Sequence, residues 1–234
     1  MPALISPVIA SDNIRHFEQV DLPMGEFWLR SPTHDKPNDV RDTISAARIY
    51  GKRIVGAEAF TELKLMWDEH PGMLKTLGDR NYALGVNHFA YHVFMHNPWV
   101  DRKPGMTLGG VGIFFQRDQT WWRPGKAWVE YAHRVQAVLQ KGLPVVDVAV
   151  FSGEEMPRRA VLPERLTTIL PGLMGDDAVK REAERLANAG QPMRSMPEGV
   201  SNSANTTDPA DWVDPLRGYT YDSINRDALL RLAT

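Results

Sequence analysis

Two glutamates stand in closely similar settings. Glu26 in "DLPMGEFWLR" and Glu58 in "RIVGAEAFTE" each follow a short apolar run and a small residue, with an aromatic one or two positions later. A carboxylate taken out of water in such surroundings is costly unless it is paired, hydrogen-bonded or protonated. Two acids that share one cleft can divide proton donation and proton acceptance between them, because unlike surroundings separate their titrations. The alternative for each is a structural acid held by an arginine such as Arg30 or Arg53.

A second set of side chains could do chemistry. His88, His92 and His96 recur every four residues in "NHFAYHVFMH", a spacing that puts them on one face of a strand. A metal stripe is conceivable, but no HExxH motif occurs and no acid lies within the stretch. Three imidazoles spread along one strand do not converge on one zinc. The chain has no cysteine, which excludes disulfides and thiolate catalysis. Neither GxGxxG nor GxxxxGK[ST] is present, so no nucleotide cofactor is expected.

Alternating elements must position these groups. "VDLPMGEFW", "RIVGAEAF", "VNHFAYHVFMH" and "PVVDVAVF" read as strands, rich in Val, Ile, Phe and Tyr. Between them, "DVRDTISAARIYG" reads as a helix with Asp39 as N-cap and Gly51 as stop, "PGMLKTLGDRNYALG" as a helix from Pro71 to Gly85, and a third runs from Thr120 to Gly142. In the third, Trp128, Tyr131 and Val135 share a helical face and read as core. Strand and helix in alternation imply parallel strands with crossover helices, in an open sheet or a TIM-type barrel. In a barrel the chemistry sits where strands end, and Glu26 and Glu58 fall near the ends of consecutive strand candidates. Later, "DDAVKREAERLANAG" reads as a helix, residues 175–217 as a loop-rich insertion, and "YTYDSINRDALLRLAT" as a segment finishing in an amphipathic helix.

Composition narrows the partners. The 234 residues are 43% hydrophobic and 24% charged, enough for a substantial core. A net charge of −2 gives no broad field to draw nucleic acid or an anionic membrane. No stretch approaches the twenty apolar residues of a spanning helix, so neither a membrane nor a nucleic-acid partner is expected. "TWWRPGKAW" is basic and aromatic, but Arg123 and Lys126 are too few for a nucleic-acid groove. The start, "MPALISPVIASDN", lacks the basic and apolar regions of a secretory signal.

The segments "DLPMGEFW", "GAEAFT", "WDEHPGMLKTLGDRNYALGVNHFAYHVFMHNPW", "DRKPGMTLGGVGIFFQRDQTWW", "WVEYAHRVQAVLQKGLPVVDVAVFSGEEMP" and "YTYDSINRDALL" carry a resemblance. In order and content they resemble successive blocks of glycoside hydrolase family 106, the α-L-rhamnosidases. The resemblance implies an α/β fold: about the last four strands of a (β/α)8 TIM-type barrel over residues 1–142, followed over 143–234 by the beginning of another α/β domain. The chain is then expected to be a fragment of a larger enzyme. An acid-bearing "Y-x-E-x-Y-G" strand that usually precedes the "PMGEFW" block is absent from this sequence.

By the same resemblance the activity is hydrolysis of a rhamnose-containing carbohydrate by two glutamates with inversion, with a bound calcium ion whose oxygen ligands the sequence does not locate. Inverting enzymes hold their carboxyls roughly 6.5 to 9.5 Å apart, with one giving a proton to the leaving oxygen and the other activating water. Glu58 is expected as the base-type carboxylate, and Glu26 as the acid or an acceptor for a sugar hydroxyl. His92 and His96, with Asn87, are expected to bind sugar hydroxyls, and Trp28 and Trp67 to pack on the sugar's C–H face. His88 reads as structural. The competing expectations are a carbohydrate-binding remnant without a complete acid pair, and an unrelated barrel hydrolase acting on another glycoside.

Overall fold

The computed structural model describes residues 2–4, 11–29, 37–62, 67–103, 105–153, 160 and 219–232. The helix expected over "DDAVKREAERLANAG" and the loop-rich stretch lie outside them. Strand β1 spans Pro2–Leu4, α1 Asn13–Glu18, β2 Leu22–Trp28, α2 Pro37–Ile49, β3 Gly56–Thr61 and α3 Pro71–Leu84. They are followed by β4 at His88–Tyr91, α4 at Trp122–Leu139, β5 at Val148–Phe151, β6 at Tyr221–Ile224 and α5 at Arg226–Leu232. The chain is α/β with parallel sheets: β1, β2, β3 and β4 lie side by side in chain order, and β5 pairs with β6 in a separate two-stranded sheet.

The helices form where local chemistry supports them. Pro37 starts α2 two residues ahead of the expected cap Asp39, at a first-turn position where its missing N–H is not needed. Pro71 opens α3 behind His70, whose ring accepts a hydrogen bond from Gly72 N–H at 3.2 Å. The expected stop at Gly85 is met, with φ of +125° and Val86 N–H returning to Asn81 O. Short α1, unanticipated in the sequence, is capped by Asp12, which accepts from Arg15 N–H at 3.0 Å.

One face of the four-stranded sheet makes the core. Phe27, Ala57, Ala59 and Phe89 pack against Val40, Ile44 and Ala47 of α2, Leu74 and Leu77 of α3, and Trp128 of α4. Phe27, Phe60 and Phe89 meet edge to face at 5.0, 5.3 and 5.6 Å between centroids, the arrangement that ring quadrupoles favour. Trp128 is buried here, as its helical spacing predicts.

One expectation is corrected. The "VNHFAYHVFMH" strand ends at Tyr91, because the chain turns at His92 to pair with a later segment: Val93 N–H bonds Ile113 O at 2.7 Å, and Phe115 N–H bonds Val93 O at 3.0 Å. His88, His92 and His96 therefore do not form a stripe along one strand. The C-terminal segment finishes in a helix as expected, and the strand β6 that precedes it, which the sequence did not announce, takes polar partners from α2. Arg41 donates to Tyr221 O at 2.6 Å, Ser223 N–H donates to Ser45 Oγ at 3.0 Å, and Arg48 reaches Asp222 at 3.2 Å.

Candidate functional site

The face turned away from the helices carries the glutamates. Glu26 and Glu58 are direct register partners on β2 and β3, so their side chains leave the sheet on the same side. Neighbouring strands set their Cα atoms about 4.8 Å apart. One step below, Met24 is level with Gly56, and a Cβ on Gly56 would lie 2.6 Å from Met24 Cγ. On its other flank Glu58 faces Ala90, whose methyl leaves the carboxylate room. Glu26 is buried at 6% exposure, whereas Glu58 is half-buried.

A bulge then changes which residue faces the acids. Phe27 pairs with Ala59 but Trp28 pairs with Thr61, so Phe60 is an extra residue. Phe60 has φ of +66° and is fully buried. In a regular strand residues three apart point to opposite faces; here the insertion turns Thr61 to the Glu58 side, and its hydroxyl donates to Glu58 Oε1 at 2.5 Å. Bulges recur beside active sites, where they re-aim a side chain. The other oxygen of Glu58 makes no hydrogen bond among the described residues.

The remaining expected site residues divide. Trp28, half-buried, shares the Glu26 face two residues on. His92 follows β4, its N–H still bonded to Ala59 O at 3.0 Å. Its Nδ1 is buried without a hydrogen-bond partner among the described residues, and a Cβ on Gly112 would lie 2.4 Å from that atom. His96 and Trp67 are exposed, and the Trp67 ring lies 5.6 Å from that of Phe114.

Asn87 belongs elsewhere. Its Oδ1 accepts from Val55 N–H and its Nδ2 donates to Arg53 O, both at 2.8 Å. These bonds tie together the N-terminal ends of β3 and β4, roughly 10 Å along the strand from Glu58, so the amide serves the sheet. A cleft lined by Arg48, Asn87, Leu143, Asp147 and Asp222 opens at this same end, away from the glutamates. Arg53 does not pair with either acid; it donates to the carbonyls of Gln140 and Lys141 at 3.5 and 3.2 Å. Arg30 lies outside the described residues.

What the arrangement can do chemically follows from its donors. Two carboxylates on one face, one of them hydroxyl-bonded, suit proton transfer to and from a bound substrate. Tyr91, level with Ala59, packs into the core on the opposite face, where burial pushes its phenol up to about 12. Thr61 is the site residue that sequence reasoning missed, since nothing in "GAEAFT" marks the bulge. Among the described residues, no three His, Asp or Glu side chains gather as metal ligands, and no helix is long and apolar enough to cross a membrane.

The chain is similar to known proteins. A family model described as alpha-L-rhamnosidase, that of glycoside hydrolase family 106, matches residues 6–189. A protein of Formosa agariphila named "Putative beta-glucuronidase" is 45% identical over 155 residues, covering 65% of this chain and 13% of its own length. The solved structure of a rhamnosidase from Novosphingobium sp. PP1Y superposes with a TM-score of 0.63 at 30% identity, covering 93% of this chain and 17% of that one. The chain thus spans less than a fifth of the length of either relative. With the family model matched over most of its residues, the chain belongs to glycoside hydrolase family 106.

Proposed function

We propose that this chain supplies part of the catalytic centre of a glycoside hydrolase that cleaves terminal α-L-rhamnosyl linkages with inversion. The observation that carries the reading is the pairing of Glu26 and Glu58 at one level of neighbouring parallel strands. Consecutive strand order, with helices on one face and glutamates on the other, fits a segment of a (β/α)8 barrel. In this reading residues 1–142 contribute the last four strands and residues 143–234 begin a second α/β domain.

The chemistry is two proton transfers. Glu58, ionised, takes a proton from water as the water oxygen bonds to the anomeric carbon; Glu26, protonated, gives its proton to the glycosidic oxygen as that bond breaks. Cα atoms about 4.8 Å apart permit the roughly 6.5 to 9.5 Å between carboxyls that inversion needs only if the two side chains lean apart. Trp28 and Trp67 would pack on the pyranose and His92 and His96 bind its hydroxyls. Calcium takes six to eight oxygen ligands, and among the described residues no three His, Asp or Glu side chains gather to supply them.

A second reading rests on the small share of its relatives that the chain covers: a carbohydrate-binding segment without turnover of its own. The test is an assay of the longest polypeptide that the gene encodes, on aryl α-L-rhamnoside and aryl β-glucuronide in parallel, with the anomer released followed by NMR. Release of β-rhamnose from the α-rhamnoside is expected. Retention of configuration contradicts the mechanism, turnover of the glucuronide alone contradicts the substrate, and binding without turnover supports the second reading.

A further inference from the structure

We infer that Thr61 is a positioning residue for Glu58, placed by the bulge at Phe60. The inference rests on the reading of Glu58 as the base and goes on to say what aims it. Thr61 is 2% exposed, and its carbonyl accepts from Leu29 N–H at 2.8 Å, so its backbone is fixed by the strand ladder. A β-branched side chain has few χ1 choices, so the hydroxyl is fixed with it. Its bond to Oε1 therefore holds a flexible glutamate through a rigid donor.

The direction of that bond matters for the chemistry. Thr61 is level with Trp28, two paired positions beyond Glu26–Glu58 and the next level on that face. The hydroxyl therefore draws the Glu58 carboxylate toward the C-terminal end of the strands and away from the level it shares with Glu26. That is the lean which opens space for a water between the two acids. It also occupies Oε1 and leaves the second oxygen to receive the proton. The bulge residue, buried with a left-handed φ, is a local cost that persists only where the surrounding structure imposes it. Were residues 58–61 a regular strand, with Phe60 paired instead of bulged, the hydroxyl would point into the helix-packed core.

The test uses Thr61→Val, which keeps shape and removes the donor, Thr61→Ser, which keeps the donor, and Glu58→Gln, all in the longest polypeptide that the gene encodes. Thr61→Val is expected to lower kcat on aryl α-L-rhamnoside about 10- to 100-fold, the scale of a misplaced catalytic group, with KM within about twofold. Thr61→Ser is expected to recover most of that loss. If Glu58→Gln abolishes turnover while Thr61→Val keeps wild-type kcat, or if Thr61→Ser falls as far as Thr61→Val, Thr61 serves packing alone and the inference fails by itself. If Glu58→Gln turns over normally, or the wild type does not turn over, the reading of Glu58 fails and the inference with it.

Discussion

Glu26 and Glu58 face each other across neighbouring parallel strands, level in register, with the Met24–Gly56 pair beneath them and the Trp28–Thr61 pair beyond. Three successive levels of one sheet face thus run from an apolar floor through two acids to an aromatic and a hydroxyl. The core on the other face, built on Phe27, Phe60 and Phe89, holds those levels in place.

Phe60 lies under this arrangement and bears its strain. Replacing it with alanine removes a fully buried ring and is expected to lower stability by about 3 to 5 kcal/mol. Phe60→Gly should be no worse than Phe60→Ala, although glycine in an ordinary strand costs about 0.5 to 1 kcal/mol more, because φ of +66° suits glycine. Urea denaturation of both variants checks the order; a clearly less stable glycine variant would contradict the bulge.

Gly112 has φ of +81° and lies against the His92 ring. Gly112→Ala should cost about 1 to 2 kcal/mol from the backbone alone and displace the imidazole. Melting temperature and the His92 ring resonances in NMR check both parts. A variant with unchanged stability and an unmoved His92 signal would show that the contact is loose.

The junction between α2 and β6 should show an unusual pH response. Burial raises the Asp222 carboxyl above its ordinary value of 3.8, outweighing the nearby Arg48 and Arg41. The folded state then binds this proton more readily than the unfolded chain, so the contribution of Asp222 to stability falls as pH rises from about 3.8 through the raised value. Comparing denaturation midpoints of wild type and Asp222→Asn across the acid range should show a difference with that slope. The opposite slope would mean that the 3.2 Å pair with Arg48 outweighs burial.

Much of this was legible in the sequence. β2 and β3 show as short, mostly apolar runs that reach an aromatic near their ends, and Pro71 and Gly85 bracket α3, because backbone restriction and freedom act locally. The two glutamates stand out because acids are costly in apolar runs. β6 was hidden because "YDSI" gains its polar partners from α2, about 180 residues away. The end of β4 at Tyr91 depends on residues 113–115, and Thr61 depends on a backbone insertion that no residue type announces. Asn87 looked like a sugar ligand, but its amide completes the backbone bonding of two strands.

If Glu58 is the base, its isosteric amide should bind sugar without turning it over. The most direct measurement is turnover and affinity of Glu58→Gln on aryl α-L-rhamnoside, in the longest polypeptide that the gene encodes. The expected result is a loss of kcat of at least about 1,000-fold, the scale of a lost general base, with sugar affinity retained. Wild-type turnover by Glu58→Gln would contradict it.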